Sequence, residues 1–140
     1  MREPVLFIHI IAAMVYFGMP FSFGRWYRMA ESSANQEIIE ATLDRFRKFS
    51  YYMYAAAAVL IATGLWLTSY AGLWQLPGQG WVHGSLTLMF LSILSMAFFL
   101  SPAISKKAPH ANTKKRLIIF SGIHHTLVTA LIFLMVFKPF

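Results

Sequence analysis

Three long stretches of the chain, residues 4–24, 49–105 and 117–137, contain no Asp, Glu, Lys or Arg, and the charges fall in short clusters between them. A bilayer core ~30 Å thick is crossed by about 20 apolar residues in α-helical form. The first and last stretches therefore predict one membrane span each. The middle stretch is too long for one, and "SYAGLWQLPGQGW" punctuates it with the Gly, Pro and Gln residues of a turn. The expected spans are residues 4–24, 49–70, 81–100 and 117–137. Pro4 suits a helix start, and Pro102 follows the third span, as its missing N–H predicts. One polar stretch breaks the pattern: across residues 35–47 the spacing of Ile38, Ile39, Leu43 and Phe46 predicts a short amphipathic helix lying on the membrane surface.

Four spans with short connections predict an all-α integral membrane protein, a four-helix antiparallel up-down bundle forming a single domain over residues 1–140. Within it, "YAAAAVLIATG" supplies a face of small residues. Such a face lets helices approach closely, or leaves room for a flat cofactor. Trp26, Trp66, Trp74 and Trp81 fall near span ends, where aromatic anchors are expected.

Composition supports this reading: 58% of the residues are hydrophobic, which does not suit an ordinary soluble domain. A formal charge of +7 would point to nucleic acid in a soluble protein. Here the basic residues gather in two connections, residues 25–48 and 101–116, so they read as topology signals and contacts to anionic lipid. The expected partner is the lipid bilayer, with no nucleic acid. The positive-inside rule puts both loops in the cytoplasm and both termini outside, on the periplasmic face of a cell inner membrane. The first span lacks an A-x-A-like cleavage site and reads as a retained helix. The absence of cysteine excludes disulfides, thiolate metal sites, iron–sulfur clusters and C-x-x-C-H haem attachment.

An ionisable residue inside a span is costly enough to be a functional candidate, and four of the five histidines qualify: His9, His83, His124 and His125. His110 lies in a basic loop and reads as solvated. At 1.5 Å per residue, His9 and His83 are about 8 Å and about 3 Å inside the same end of their spans, so they share a level. His124 and His125 lie roughly 11 Å from the opposite end, and a 100° step between neighbours keeps them from facing one centre. Paired imidazoles in an apolar bundle with no carboxylate or thiol favour haem b, which needs only axial ligands and propionate partners. His9 and His83 are the expected axial ligands, with His124 and His125 the second choice. Arg2, Gln79 and Lys138 could meet the propionates, although Arg2 and Lys138 also read as snorkelling anchors. A buried histidine can equally satisfy itself through an interhelical hydrogen bond. Met14, Met19, Met53, Met89 and Met96 read chiefly as packing filler.

Several pieces taken in order, "LFIHIIAAMVYFGMPFSFGRWYRMA", "RFRKFSYYMYAAAAVLIATGLWL", "WVHGSL" and the terminal "VFKPF", resemble the HemJ family of membrane-bound protoporphyrinogen oxidases and its CopD-like relatives. The resemblance implies a four-helix protein holding haem b through histidine, with His9 first and His83 second. It also shows two departures. Ser85 stands where the family's third-helix motif, similar to W-x-H-x-K-L, has lysine. Ser121, Gly122, Ile123 and His124 stand where its fourth helix opens with an N-E-x-P type motif. A cation suits a substrate with propionates, and a carboxylate suits proton removal. Losing both implies that the haem scaffold was kept and the oxidase chemistry was not.

The leading expectation is therefore a membrane b-type cytochrome carrying electrons, as a homo-oligomer or as a subunit of a larger redox complex, or linked to quinone. The alternative is protoporphyrinogen oxidation, as the resemblance implies. A third reading is a haem-free accessory or copper-handling subunit, since His and Met suit copper, but no Met-x-x-Met clusters occur.

Overall fold

A computed structural model describes residues 2–75, 79–105 and 110–137. All regular structure in these residues is helical: α1 (Arg2–Gly18), α2 (Pro20–Ser32), α3 (Gln36–Tyr70), a 3-10 turn (Leu73–Gln75), α4 (Gly80–Ser95), a π-helical turn (Met96–Leu100), α5 (Ser101–Ile104) and α6 (His110–Phe137). They make four helical stretches long and apolar enough to cross a membrane: Arg2–Ser32, Gln36–Tyr70, Gly80–Ile104 and Asn112–Phe137. The end that holds Arg2, Tyr70, Gly80 and Phe137 is the terminal end below. The opposite one, with most of the charges, is the basic end.

The first stretch is longer than the apolar run and is interrupted once. Pro20 has no N–H to give to the carbonyl of Tyr16, so the helix loosens there. Around the break the backbone bonds lengthen to 3.4 Å, from Met19 N to Val15 O and from Ser22 N to Met19 O. The second stretch differs from the expected pair of elements: the amphipathic segment and the span are one continuous helix, α3. No Gly or Pro occurs between Gln36 and Thr63 to end it. The buried positions Leu43, Phe46, Ser50, Met53, Ala57 and Leu60 run through the charged and apolar halves at one helical period. With 35 residues α3 is about 52 Å long, so roughly 20 Å of it projects from a 30 Å core.

Turns between stretches follow local chemistry. Asn35 caps α3 by accepting from the Glu37 N–H at 2.9 Å, and the preceding Ala34 is held in the left-handed region with φ 50°. At the far end Gly72, φ 64°, takes the left-handed conformation that closes the helix, its N–H bonding the Ser69 carbonyl. The third stretch continues past the expected residue 100 to Ile104. Pro102 cannot donate to Phe98, and the helix widens just before it, where the Ser101 N–H reaches Met96 five residues back. The fourth begins at His110, seven residues ahead of the apolar run.

α1 packs on α3, α4 on α6, and α2 on both α3 and α6, while α3 also meets α4 and α5. The four stretches thus form a closed antiparallel ring in up-down order. Packing is uneven along it. The basic half is filled by Phe23, Phe46, Leu100, Leu117 and Phe120, with Phe23 stacked on Phe46 at 4.4 Å. In the terminal half, neither residues 2–11 of α1 nor residues 61–70 of α3 include a buried position. The two hairpins are closely joined at the basic half and open toward the terminal end.

Candidate functional site

His9 sits on the half-buried side of α1 against the small-residue face of α3. Its Nδ1 lies 2.8 Å from Thr63 Oγ1. The Thr63 hydroxyl has one proton, and it points at two main-chain carbonyls, Val59 at 2.6 Å and Leu60 at 3.3 Å. With that proton given to a carbonyl, the hydroxyl accepts from His9 Nδ1–H. In that arrangement the imidazole is protonated on Nδ1 and its lone pair is on Nε2. Gly64 makes the approach possible: a Cβ there would stand 3.3 Å from His9 Cε1, tighter than ordinary contact.

Deeper in the bundle the structure assembles a polar group that residue spacing alone did not join. Tyr16 of α1, Ser92 of α4 and His124 of α6 are buried together, the Tyr16 hydroxyl 2.9 Å from Ser92 Oγ and Ser92 Oγ 3.1 Å from His124 Nδ1. The His124 ring stands edge-on to Tyr16 at 5.3 Å and against Phe120 at 5.2 Å. Its Nε2 is buried without a hydrogen-bond partner among the described residues.

His125 points elsewhere, as the 100° step requires. Its ring stacks on Phe21 at 4.0 Å, Nδ1 is 3.3 Å from Ser121 Oγ, and Nε2 is buried without a partner among the described residues. With Leu88, Thr126, Thr129, Ala130, Phe133 and Leu134 it lines an open groove of about 700 Å³. The wall is mostly apolar, as a surface facing lipid would be.

His83 lies at the same end as His9 but on the exposed side of α4, off the stripe of buried positions Val82, Ser85 and Met89. Its ring tilts against Trp74 at 5.6 Å. No hydrogen bond or ring contact among the described residues joins it to His9. Arg2 is exposed at the start of α1, and Gln79 accepts from Trp81 Nε1 at 2.6 Å. Lys138 lies outside the described residues, and His110 opens α6. Of the methionines, Met53, Met89 and Met96 are buried, while Met14 is exposed. No group of three or more His, Asp or Glu side chains able to hold a metal occurs among the described residues.

Thr63, Tyr16 and Ser92 are site residues that reading the histidines alone missed. A signal was present on α4, where Ser85, Ser92 and Ser95 fall on the same buried stripe as Val82, Met89 and Met96. Hydroxyls repeated at helical spacing inside an apolar run mark an interhelical polar seam.

Four long apolar helices in a closed antiparallel ring, with polar side chains turned inward, define an integral membrane bundle protein. The chain belongs to the DUF2269 family of predicted integral membrane proteins, which it matches over residues 3–139. The likeness to HemJ is one of motifs and does not extend to this assignment. No curated protein and no solved structure matches.

Proposed function

We propose that the chain is a haem b-binding membrane subunit that transfers electrons, with His9 as its axial ligand. The observation that carries this reading is the Thr63 hydroxyl 2.8 Å from His9 Nδ1, placed to accept from an Nδ1–H and so leave Nε2 basic. Histidines that bind metals are oriented in this way, through a second hydrogen bond from the other ring nitrogen. The donor set fits haem, which asks for neutral imidazole in an apolar setting and few other polar groups. Loose packing at the terminal half and the small residues of α3 next to His9 also fit a flat macrocycle, and Arg2 supplies a cation at that end. When bound, haem supplies reversible one-electron chemistry at its iron. The protein holds the ligand in one tautomer, excludes water and keeps the setting apolar. Quinone in the bilayer, or a larger redox complex, is the matching electron partner.

Protoporphyrinogen oxidation is the less favoured reading. It calls for a base and a cation beside the substrate, and residues 4–24, 49–105 and 117–137 hold no Asp, Glu, Lys or Arg.

The test is spectroscopic. Protein purified in mild detergent is scanned oxidised and reduced, with pyridine haemochrome quantitation, as wild type, His9→Ala and His83→Ala. Wild type is expected to carry haem b, His9→Ala to lose it, and His83→Ala to keep it because His83 is on the exposed side of α4. A colourless wild type, or full haem in His9→Ala, overturns the proposal.

A further inference from the structure

The bundle interior carries polar groups at several depths that haem ligation by His9 does not use. Measured along the third stretch from Gly80, Ser85 and Ser92 of α4 are about 8 Å and about 18 Å in, and Ser101 of α5 is about 32 Å in. Each marks a station. At the basic end Ser101 Oγ is 2.9 Å from the Tyr54 hydroxyl. One helical turn before Tyr54, Ser50 bonds the carbonyl of Arg47 at 2.7 Å, which brings the series to the charged surface. In the middle stands Tyr16–Ser92–His124. Toward the terminal end Ser85 Oγ is buried without a partner among the described residues, and the His9–Thr63 pair lies on the facing hairpin.

We infer that this seam is a proton pathway through the bundle, with Tyr16–Ser92–His124 as its central relay. This goes beyond electron transfer and does not depend on haem.

The central group has the connectivity a relay needs. Its three members can be ordered in either sense: Tyr16 donating to Ser92 and Ser92 to His124 Nδ1, or His124 Nδ1–H donating to Ser92 and Ser92 to Tyr16. Passing from the second order to the first moves protons only. One passes from a water to His124 Nε2 as the Nδ1 proton passes to Ser92, the Ser92 proton passes to the Tyr16 oxygen, and the Tyr16 hydroxyl proton passes to a second water. No bond between heavy atoms changes and no electron is transferred. The two hydroxyls and the ring then reset by rotation and a second exchange. His124 Nε2, buried and without a partner, is the end at which a proton can be taken up without breaking an existing link. A chain whose ends were both tied to fixed acceptors would be locked in one order. Tyr54 on α3 and His125 on α6 are the other titratable groups in this region, and α4 contributes only serines.

Between stations the axial gaps are about 10–14 Å, which three or four waters at ~2.8 Å spacing would span: directly in the open terminal half, and in the basic half, filled by Leu100 and Phe120, only when those side chains move apart. Such waters need polar partners along the way. Ser85 Oγ has hydrogen-bonding capacity unfilled by protein groups among the described residues, and Ser95 places another hydroxyl on the same face. Intramembrane histidines often mark proton relays, though carboxylates usually accompany them. Here phenols and hydroxyls would serve in their place.

The experiment uses the full chain in phosphatidylcholine–phosphatidylglycerol vesicles loaded with a pH-sensitive dye, with a potassium diffusion potential as the driving force. Wild type is expected to move protons faster than empty vesicles. Tyr16→Phe and Ser92→Ala each remove one link and are expected to slow the flux about tenfold, equivalent to ~1.4 kcal/mol at the barrier. Thr87→Ala, at an exposed position on α4, is expected to match wild type. Tyr16→Phe keeps the aromatic volume, and circular dichroism with gel filtration confirms that each variant is folded. Wild type no faster than empty vesicles, or folded Tyr16→Phe and Ser92→Ala as fast as wild type, overturns the inference. Haem content is read on the same samples: a colourless protein that conducts would sink the cytochrome reading alone, and a haem-loaded protein that does not conduct would sink this one alone.

Discussion

Thr63→Val tests the cytochrome proposal at its carrying observation. Valine keeps the branched shape and removes the hydroxyl that accepts from His9 Nδ1 at 2.8 Å. The lost hydrogen bond itself is worth ~1 kcal/mol. The larger consequence is on the ring, which is no longer held with its proton on Nδ1 and can turn or change tautomer. Losing the group that orients a metal-ligating histidine typically lowers affinity by about 10–100-fold, or ~1.4–2.7 kcal/mol. Haem titration of the detergent-solubilised apoprotein, followed by absorbance, reads that loss directly. Thr68→Val is the matched control, because Thr68 makes the same kind of bond to its own helix, to the Gly64 carbonyl at 2.7 Å. If Thr63→Val binds haem as wild type does, or Thr68→Val weakens binding equally, the tautomer reasoning is wrong.

Two further predictions concern stability, both followed by thermal unfolding in detergent. Ala34→Gly relieves roughly 1–2 kcal/mol of left-handed strain against a glycine entropy cost of roughly 0.5–1 kcal/mol. A net gain of about 0.5–1 kcal/mol is expected, and a lowered midpoint would contradict the φ of 50° at that position. Ser85→Ala removes a buried hydroxyl that no protein group among the described residues satisfies; with a water of the proton pathway as its partner, the expected result is a loss of roughly 1 kcal/mol. A gain of similar size would mean that Ser85 holds no water and would count against the pathway.

The spans were legible because membrane helices need a long uncharged run, and such runs stand out in this chain. Their ends were less legible. α3 continues through Glu37, Glu40 and Asp44 because a helix needs a breaker to stop, and a change of solvent does not supply one. The division at Pro20 could have been read from the proline itself, yet an apolar run gives no other sign of it. For the site, the histidines could be named from the sequence, but their hydrogen-bond partners could not. Rise per residue puts His9 and His83 near the same end of the bundle. Whether two side chains meet also depends on helix rotation and ring order, and the structure puts His83 on the exposed side of α4. Tyr16, Ser92 and His124 lie on three different helices, so no local pattern connects them.

The distribution of polar groups is informative because packing alone does not require it. Lipid tails are as apolar as leucine, so interior packing could be completed by Leu, Ala and Phe alone. His124 and Ser92 are buried, and their mutual bonds recover only part of the desolvation, since Nε2 has no partner among the described residues. An apolar group of the same shape at each of these positions would be neutral or stabilising. Structural need therefore accounts for Phe23, Phe46 and Phe120 in the basic half. It does not account for Tyr16, Ser92 and His124, which lie where the tight half gives way to the open one. Groups that cost stability and stand at such a junction are placed to act on what passes between the halves, and in this apolar interior the things that imidazole, phenol and hydroxyl can pass are protons.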